Sequence, residues 1–346
     1  MEYVVLAMLF FETRAGGEPV ELRGAAQGTT YHIKYTATAN SPVIADLQAD
    51  FESLLSDVDR QMSTYWSDSE LNRFNRAPAG EWFPVSRAVV DVVNTAREIS
   101  EKTGGALDVT VGPLVGLWHF GPGRTNGDDK GEFKPPSEAA IVAMQSRVGY
   151  RLIDVRTEPP ALRKQVAGLE VDLSSIASGY TIDQLSGLLR KWDIDNFMIE
   201  LGGEVRAMGT HADGKPWKVA VERPAAGRRE LQTVVALADE AISTAGGSRK
   251  FFQYEGRRYS HVIDPATGRP VDHSLDSVTV LADTCLAADG WDTPLLVLGP
   301  NRGFQCAEKN GIAAMFISPS AGKSRVRTTT AWDKRKSTTK SLPAAR

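Results

Sequence analysis

Residues 29–36 read TTYHIKYT, with Tyr31, Ile33 and Tyr35 on one side and polar groups on the other. A period of two marks a half-buried strand. The period then changes. Ile44, Leu47, Phe51, Leu54, Leu55, Val58 and Met62 recur at three- and four-residue spacing, which predicts an amphipathic helix. A second helix is predicted over 87–102, stopped by Gly104-Gly105. Ser137 reads as the N-cap of a third, which carries Ile141, Met144 and Val148 and ends at Gly149. Residues 121–136 between these two helices are rich in Gly, Pro and Asp and read as a loop.

In the second half, Val171-Asp172-Leu173 reads as a short strand and Ile182, Leu185, Leu188 and Trp192 mark a helix. A strand over 196–200 is turned by Gly202-Gly203, and 217–222, 233–237 and 277–281 alternate as further strands. A helix is predicted over 285–297 and a last buried strand over 312–317. Strands outnumber helices and come in groups joined by tight turns. That pattern predicts an α+β fold of mixed, mostly antiparallel sheets with flanking helices. No G-x-G-x-x-G follows the first strand and no Walker A loop occurs, so dinucleotide-fold and P-loop readings have no support.

With 346 residues the chain can form one large domain or two modest ones. A formal net charge of −3 gives no basic field to attract nucleic acid. Cys285 and Cys306 lack metal-ligand spacing and form no disulfide framework, so both are expected as small core residues. Residues 4–11 form an apolar run, far short of the roughly 20 residues that cross a bilayer. It resembles the middle of a secretory signal, but Glu2 stands where a basic residue is usual and no lipobox cysteine follows. Residues 1–23 therefore read equally as a signal remnant or a disordered arm. The stretch from 323 onward is rich in Lys, Arg, Ser and Thr and is expected to be a solvated tail, with 333–346 as a basic terminus beyond the domain.

Several clusters could carry chemistry. In Ala288-Asp289-Gly290-Trp291-Asp292-Thr293, positions 289 and 293 share a helix face and Asp292 lies beside them. Hard oxygen donors so grouped suit Mg²⁺; the same spacing also describes an ordinary acidic helix start. In Val171-Asp172-Leu173-Ser174-Ser175-Ile176-Ala177-Ser178-Gly179-Tyr180, small polar residues open a helix, which suits either an anion or a plain serine cap. His261 leaves a predicted strand just before the turn Asp264-Pro265-Ala266-Thr267-Gly268, where it could act as a general base or merely support structure. Tyr65, just after the first helix, could stack on a planar ring or pack in the core. Gly104-Gly105 and Gly112-Pro113 bracket a short apolar strand containing Ala106, Leu107 and Asp108, where backbone could approach a ligand.

Taken in order, these blocks resemble the ApbE family of FAD-dependent FMN transferases. The resemblance spans 24–332 and includes GTTYHIKY, MSTYWSDSELNRFN, TGGALDVTVGPLVGLW, VDLSSIASGYTID, MIELGGEVRAMG, AISTAGG, SHVIDPATGRPV and ADGWDT. It implies a two-lobed single unit, T-fold-like, that binds FAD as substrate with Mg²⁺. The FMN half would pass to a Ser or Thr hydroxyl of an acceptor protein and AMP would leave. Hydrolysis of FAD to FMN and AMP, or non-catalytic FAD carriage, are the alternatives that sequence leaves open.

Carried over by position, the resemblance implies metal ligands at Asp289, Asp292, Thr293 and the Ser175 region. It implies flavin contacts at Gln27, Tyr65, Ala106, Leu107, Asp108, Asp172, Ser178 and Ile263. His261 is the implied base, with Asp289 also assigned to catalysis. Acceptors in the family include subunits of membrane redox complexes. Most members work beyond the cytoplasmic membrane, often as lipoproteins, which implies a periplasmic protein with inner-membrane anchoring. Three departures stand out. Gln27 occupies a position that is often Met and helps hold the flavin. Ser178 stands where Lys or Glu is common. Thr244-Ala245-Gly246-Gly247 replaces a Thr-Ser-Gly block and lacks one hydroxyl.

Overall fold

The computed structural model describes residues 17–38, 40–121, 133–211, 213–225, 228–247, 250–320 and 323–340. Its frame is an eight-stranded sheet. The strands follow one another across it in chain order: Pro19–Ala26, Thr29–Thr36, Phe197–Leu201, Glu204–Met208, Glu240–Gly246, Ser277–Ala282, Ala313–Ser320 and Lys323–Thr328. Every neighbouring pair is antiparallel, as the grouping of strands and tight turns predicts. Between the second and third strands the chain makes a long excursion. It builds the helices Ile44–Met62, Glu70–Arg76, Arg87–Thr103, Gly112–Leu117, Glu138–Gln145 and Ala177–Lys191, with a three-stranded sheet of Phe83–Pro84, Pro160–Lys164 and Ile153–Thr157.

Alternation along the strands explains why both faces are covered. In Ala313–Ser320, Ala314 and Phe316 join the core under the helices, while Ala313, Met315 and Ile317 join a second apolar cluster on the opposite face. A strand buried on both sides reads as a continuous apolar run, which is why this one shows no alternation in sequence. The second cluster is closed by the ribbon of Trp217–Ala225 and Arg228–Leu237, through Trp217, Val221, Val235 and Leu237.

The helices start where local chemistry sets them. Ser137 accepts from the Ala140 amide as an N-cap, and Ser86 does the same for Val89. Gly104, at positive φ, closes the helix Arg87–Thr103. The helix expected over 285–297 continues as Cys285–Lys309, with a break in helical geometry at Gly299 followed by Pro300. Gly299, at φ 77°, permits the bend, and Pro300 suits the first turn of the second segment.

Some expectations are corrected. The strand Pro19–Ala26, whose residues 19–23 are expected in a signal remnant or disordered arm, pairs along the full length of Thr29–Thr36 and buries Leu22. The stretch from 323 is no solvated tail: Lys323–Thr328 adds the outer strand, and the helix Thr330–Lys340 covers the second cluster. One residue explains this. Trp332, 1% exposed, fills that cluster, and Arg335 anchors the helix to Glu240 and Asp283. A basic composition concealed one apolar anchor. Cys285 is buried as expected, but Cys306 is only half-buried. Most of the loop expected over 121–136 lies outside the described residues, as do 1–16.

Val171–Leu173 and Ala106–Val111 are not strands. The Asn75 side chain holds Val171 instead, donating to its carbonyl at 2.9 Å and accepting from its amide at 2.8 Å. Asp108 folds the other segment into a turn through Thr110 and Tyr150. In both places a side chain supplies the hydrogen bonds that a neighbouring strand would otherwise give.

Candidate active site

Two helices meet at the site with almost no gap. A Cβ built on Gly179 would lie 2.4 Å from the Cys285 carbonyl oxygen and 2.8 Å from Asp289 Cβ. No side chain other than hydrogen fits, so the helices Ala177–Lys191 and Cys285–Lys309 touch backbone to backbone. The contact lets the Gly179 amide donate to Asp289 Oδ2 at 2.8 Å. One turn on, Asp183 accepts from the Cys285 and Leu286 amides, each at 2.9 Å, and pairs with Arg206 at 2.8 Å. Thr284 caps the same end by accepting from Ala287. A capped helix start with a carboxylate at its positive pole is rigid, and it aims the residues one and two turns later.

Those residues are Asp289 and Asp292. Both are buried, at 5% and 2% exposure. Asp292 Oδ2 accepts from the Ser243 hydroxyl at 2.6 Å, and Oδ1 from Thr293 at 3.1 Å. Burial pushes the Asp292 carboxyl up to about 8, with the Glu204 charge adding to the shift. Burial drives Asp289 well above the ordinary aspartate range too, reinforced by Glu204 and Asp292. Two carboxylates placed together out of water, beside a third, cost much less free energy when a cation joins them. Among the described residues no group of three or more His, Cys, Asp and Glu is placed to hold a metal. A hard cation such as Mg²⁺ does not require one, because it takes few carboxylates and completes its shell with hydroxyls, carbonyls, water and phosphate. Asp289, Asp292 and the Thr293 hydroxyl fit that donor set.

Ser175 and Ser178 are half-buried at the start of the helix that carries Gly179, the residue whose amide meets Asp289. Gln27 reaches the same helix turn. It sits in the tight hairpin between the first two strands at φ 52°, and its Nε2 donates to Thr181 Oγ1 at 2.8 Å. Asp172 lies three residues before Ser175, and its amide donates to the Val109 carbonyl at 2.7 Å. That bond sets Asp172 against the loop of Ala106, Leu107 and Asp108. The Asp108 carboxyl itself turns inward and is raised by burial, its oxygens held by Thr110 and Tyr150. Ala106 and Leu107 are buried.

His261 enters from a separate hairpin. Its backbone amide and its ring Nδ1 both meet the Lys250 carbonyl, each at 3.1 Å. A carbonyl only accepts, so Nδ1 carries the proton and Nε2 keeps the lone pair. Burial holds the imidazole below the ordinary histidine range, so it is neutral at pH 7. Ile263, two residues on, packs with Leu114, Trp118 and Ile141. Tyr65 stands 75% exposed on the turn after the helix Ile44–Met62, and among the described residues no ring contact ties it to the other candidates. A cavity of about 280 Å³ beside the Asp264 turn is lined by Trp118, Arg257, Arg258, Tyr259, Arg269 and His273, among others, and does not include the acid pair.

Against known proteins, the ApbE family model matches residues 27–316. The chain belongs to the ApbE family. It is 43% identical over 306 residues to a Vibrio cholerae protein named FAD:protein FMN transferase, covering 87% of each chain. A solved structure described as the flavin transferase ApbE from Vibrio cholerae superposes with a TM-score of 0.83 at 39% identity, over 92% of this chain and 99% of that one. The apo flavinyl transferase ApbE of Pseudomonas stutzeri gives a TM-score of 0.84 at 35% identity, over 94% and 99%.

Within this ApbE chain, several residues that shape the site lie inside the family blocks or beside them but show no site chemistry in the sequence. Ser243 supplies a hydroxyl two residues before Ala245, the place where the sequence lacks one. Asp183 and Gly179 look like an ordinary polar residue and an ordinary helix-start glycine. Asn75 lies about a hundred positions from the segment it clamps. Lys164, 2% exposed, donates to the Asn75 carbonyl at 2.7 Å, and burial lowers its affinity for a proton.

Proposed function

We propose that this chain moves the FMN half of FAD onto a serine or threonine hydroxyl of an acceptor protein, with Mg²⁺ at the acid pair and AMP as the second product. The observation that carries the reading is the buried pair Asp289 and Asp292, pinned by Gly179 and Ser243 and short of positive charge. Family membership across residues 27–316 supplies the flavin substrate and the protein acceptor.

Asp289, Asp292 and Thr293, with an oxygen from the Ser175 region, would hold the ion. Mg²⁺ there would neutralise charge on the pyrophosphate oxygens. The Gly179 amide and the Ser243 hydroxyl keep the two carboxylates fixed as charge moves nearby, so little reorganisation is needed. His261 Nε2 takes the proton from the attacking hydroxyl, and the Lys250 carbonyl holds the ring in the competent tautomer. Gln27, Asp172 and the exposed Tyr65 ring are the proposed flavin contacts, with Ser178, Ala106, Leu107, Asp108 and Ile263 around them. The inward Asp108 carboxyl acts by shaping its loop.

The reading includes a periplasmic workplace, acceptors among subunits of membrane redox complexes, and anchoring at the inner membrane. Family habit and the apolar run over 4–11 support it. Among the described residues no helix is long and apolar enough to cross a membrane.

The test is mass spectrometry of an acceptor domain bearing an accessible threonine, incubated with the protein, FAD and Mg²⁺, with an EDTA control. A metal-dependent gain of one FMN with one AMP released is expected. AMP and free FMN without a mass gain would replace transfer by hydrolysis. Bound FAD without AMP would leave a carrier.

A further inference from the structure

We propose that a ladder of aromatic rings beside His261 biases this site toward a protein hydroxyl and against water. The inference rests on the reading of His261 as the base.

The rings run without a break. Trp118 stacks on Tyr259 with centroids 5.7 Å apart. Tyr259 meets Phe133 at 5.6 Å, and Phe133 lies flat on Phe252 at 4.4 Å with 8° between the planes. Phe252 meets Phe120 at 4.9 Å, and Phe120 stands edge-on to the His261 imidazole at 6.3 Å. The far end is tied down, since the Trp118 indole N–H donates to the Gly268 carbonyl at 2.8 Å. Most of these rings lie outside the main core. Phe120, Phe133, Phe252 and Tyr259 are half-buried, and Phe251 beside them is 41% exposed under the Arg258 guanidinium. Phe120, Phe133 and Tyr259 pack against the cluster of Leu114, Trp118, Ile141 and Ile263, and with Phe252 they form a half-buried apolar surface that ends at the candidate base.

The chemistry gives that surface a consequence. In transfer, the acceptor oxygen forms a bond to the phosphorus of the FMN half. The bond from that phosphorus to the oxygen bridging to AMP breaks, that oxygen leaves with its electron pair on AMP, and the hydroxyl proton goes to His261 Nε2. Water can follow the same course and yield free FMN and AMP. The base does not discriminate between the two nucleophiles. Their surroundings do. An ordered water needs two to four polar partners, and the Phe120 ring beside His261 provides none. A threonine arrives on a peptide whose apolar atoms gain contact with the exposed parts of this half-buried surface. The ladder therefore costs water its second hydrogen bond while adding binding energy for an acceptor segment, which separates two otherwise equivalent nucleophiles.

The test compares the full-length protein with Phe120→Ala, Phe120→Leu and Phe252→Ala, each given FAD, Mg²⁺ and the acceptor domain. Flavinylated acceptor is counted by mass spectrometry, and free FMN and AMP by chromatography. Phe120→Ala is expected to raise the ratio of free FMN to flavinylated acceptor by about tenfold, because a hole opens where water gains access. Phe120→Leu keeps apolar bulk and should stay within about twofold of the parent ratio. If Phe120→Ala does not fold, Phe252→Ala carries the test, with a smaller rise in the same ratio. An unchanged ratio in the folded variants, with both products falling together, would mean the rings only pack, and the proposal fails. Absence of AMP from the parent protein would instead sink the transferase reading beneath it, so the two failures are distinguishable.

Discussion

Replacing Asp292 with asparagine removes a buried acid that the metal-free fold holds protonated up to about pH 8, against an ordinary aspartate value of 3.8. The sign follows from which state binds the proton. Between those two values the unfolded chain has released it and the folded chain has not, so stability falls as pH rises through this window and is flat above it. Each unit is worth about 1.4 kcal/mol, which sets an upper figure of about 4 kcal/mol lost by pH 7. Asparagine carries no such dependence, and its amide oxygen can still accept from Ser243. The variant should match the parent near pH 4 and exceed it by about 2–4 kcal/mol at pH 7. Urea unfolding in EDTA from pH 4 to 8 measures the difference directly. Added Mg²⁺ should then narrow the gap by stabilising the parent alone. A difference that stays constant with pH would refute the reasoning, because Asp292 would then titrate as an ordinary surface acid.

Asp289→Ala should leave the fold intact and lower metal-dependent transfer by about a hundredfold or more, read as single-turnover flavinylation. Gly179→Ala forces a Cβ to within 2.4 Å of a backbone oxygen and should cost about 1–3 kcal/mol in thermal unfolding, with weakened Mg²⁺ binding as the helices part. His261→Gln should reduce kcat with little change in KM for FAD. In the parent, the acid limb of the pH–rate profile should fall below the ordinary histidine range, since burial lowers the imidazole and the neutral base persists to lower pH. Trp332→Ala should destabilise the protein by about 3–5 kcal/mol in urea unfolding, whereas a truly solvated tail would show no change.

Much was legible along the chain because it is written at short range. Alternation gave the strand at Thr29–Thr36, and three- to four-residue spacing gave the helices from Ile44 and Arg87. Ser137 announced its own helix start. Asp289, Asp292 and Thr293 could be grouped because one helical turn brings them together whatever the rest of the fold does. The ApbE resemblance followed from the order of such local blocks.

The tertiary structure decided what depends on distant partners. Sequence placed the acidic residues on a helix face; only the packing of the assembled fold buries them beside Glu204 and raises their proton affinity, against the Gly179 and Ser243 hydrogen bonds that lower it. Val171–Leu173 reads as a strand by composition, but Asn75 takes the place of a partner strand. The C-terminal stretch reads as solvated, but Trp332 finds a cavity that exists only once the ribbon and sheet have closed over it. Local periodicity records how each segment would bury a face, and it carries no information on which face it will meet. Burial, and with it the charge state of Asp289, Asp292 and His261, belongs to the assembled fold.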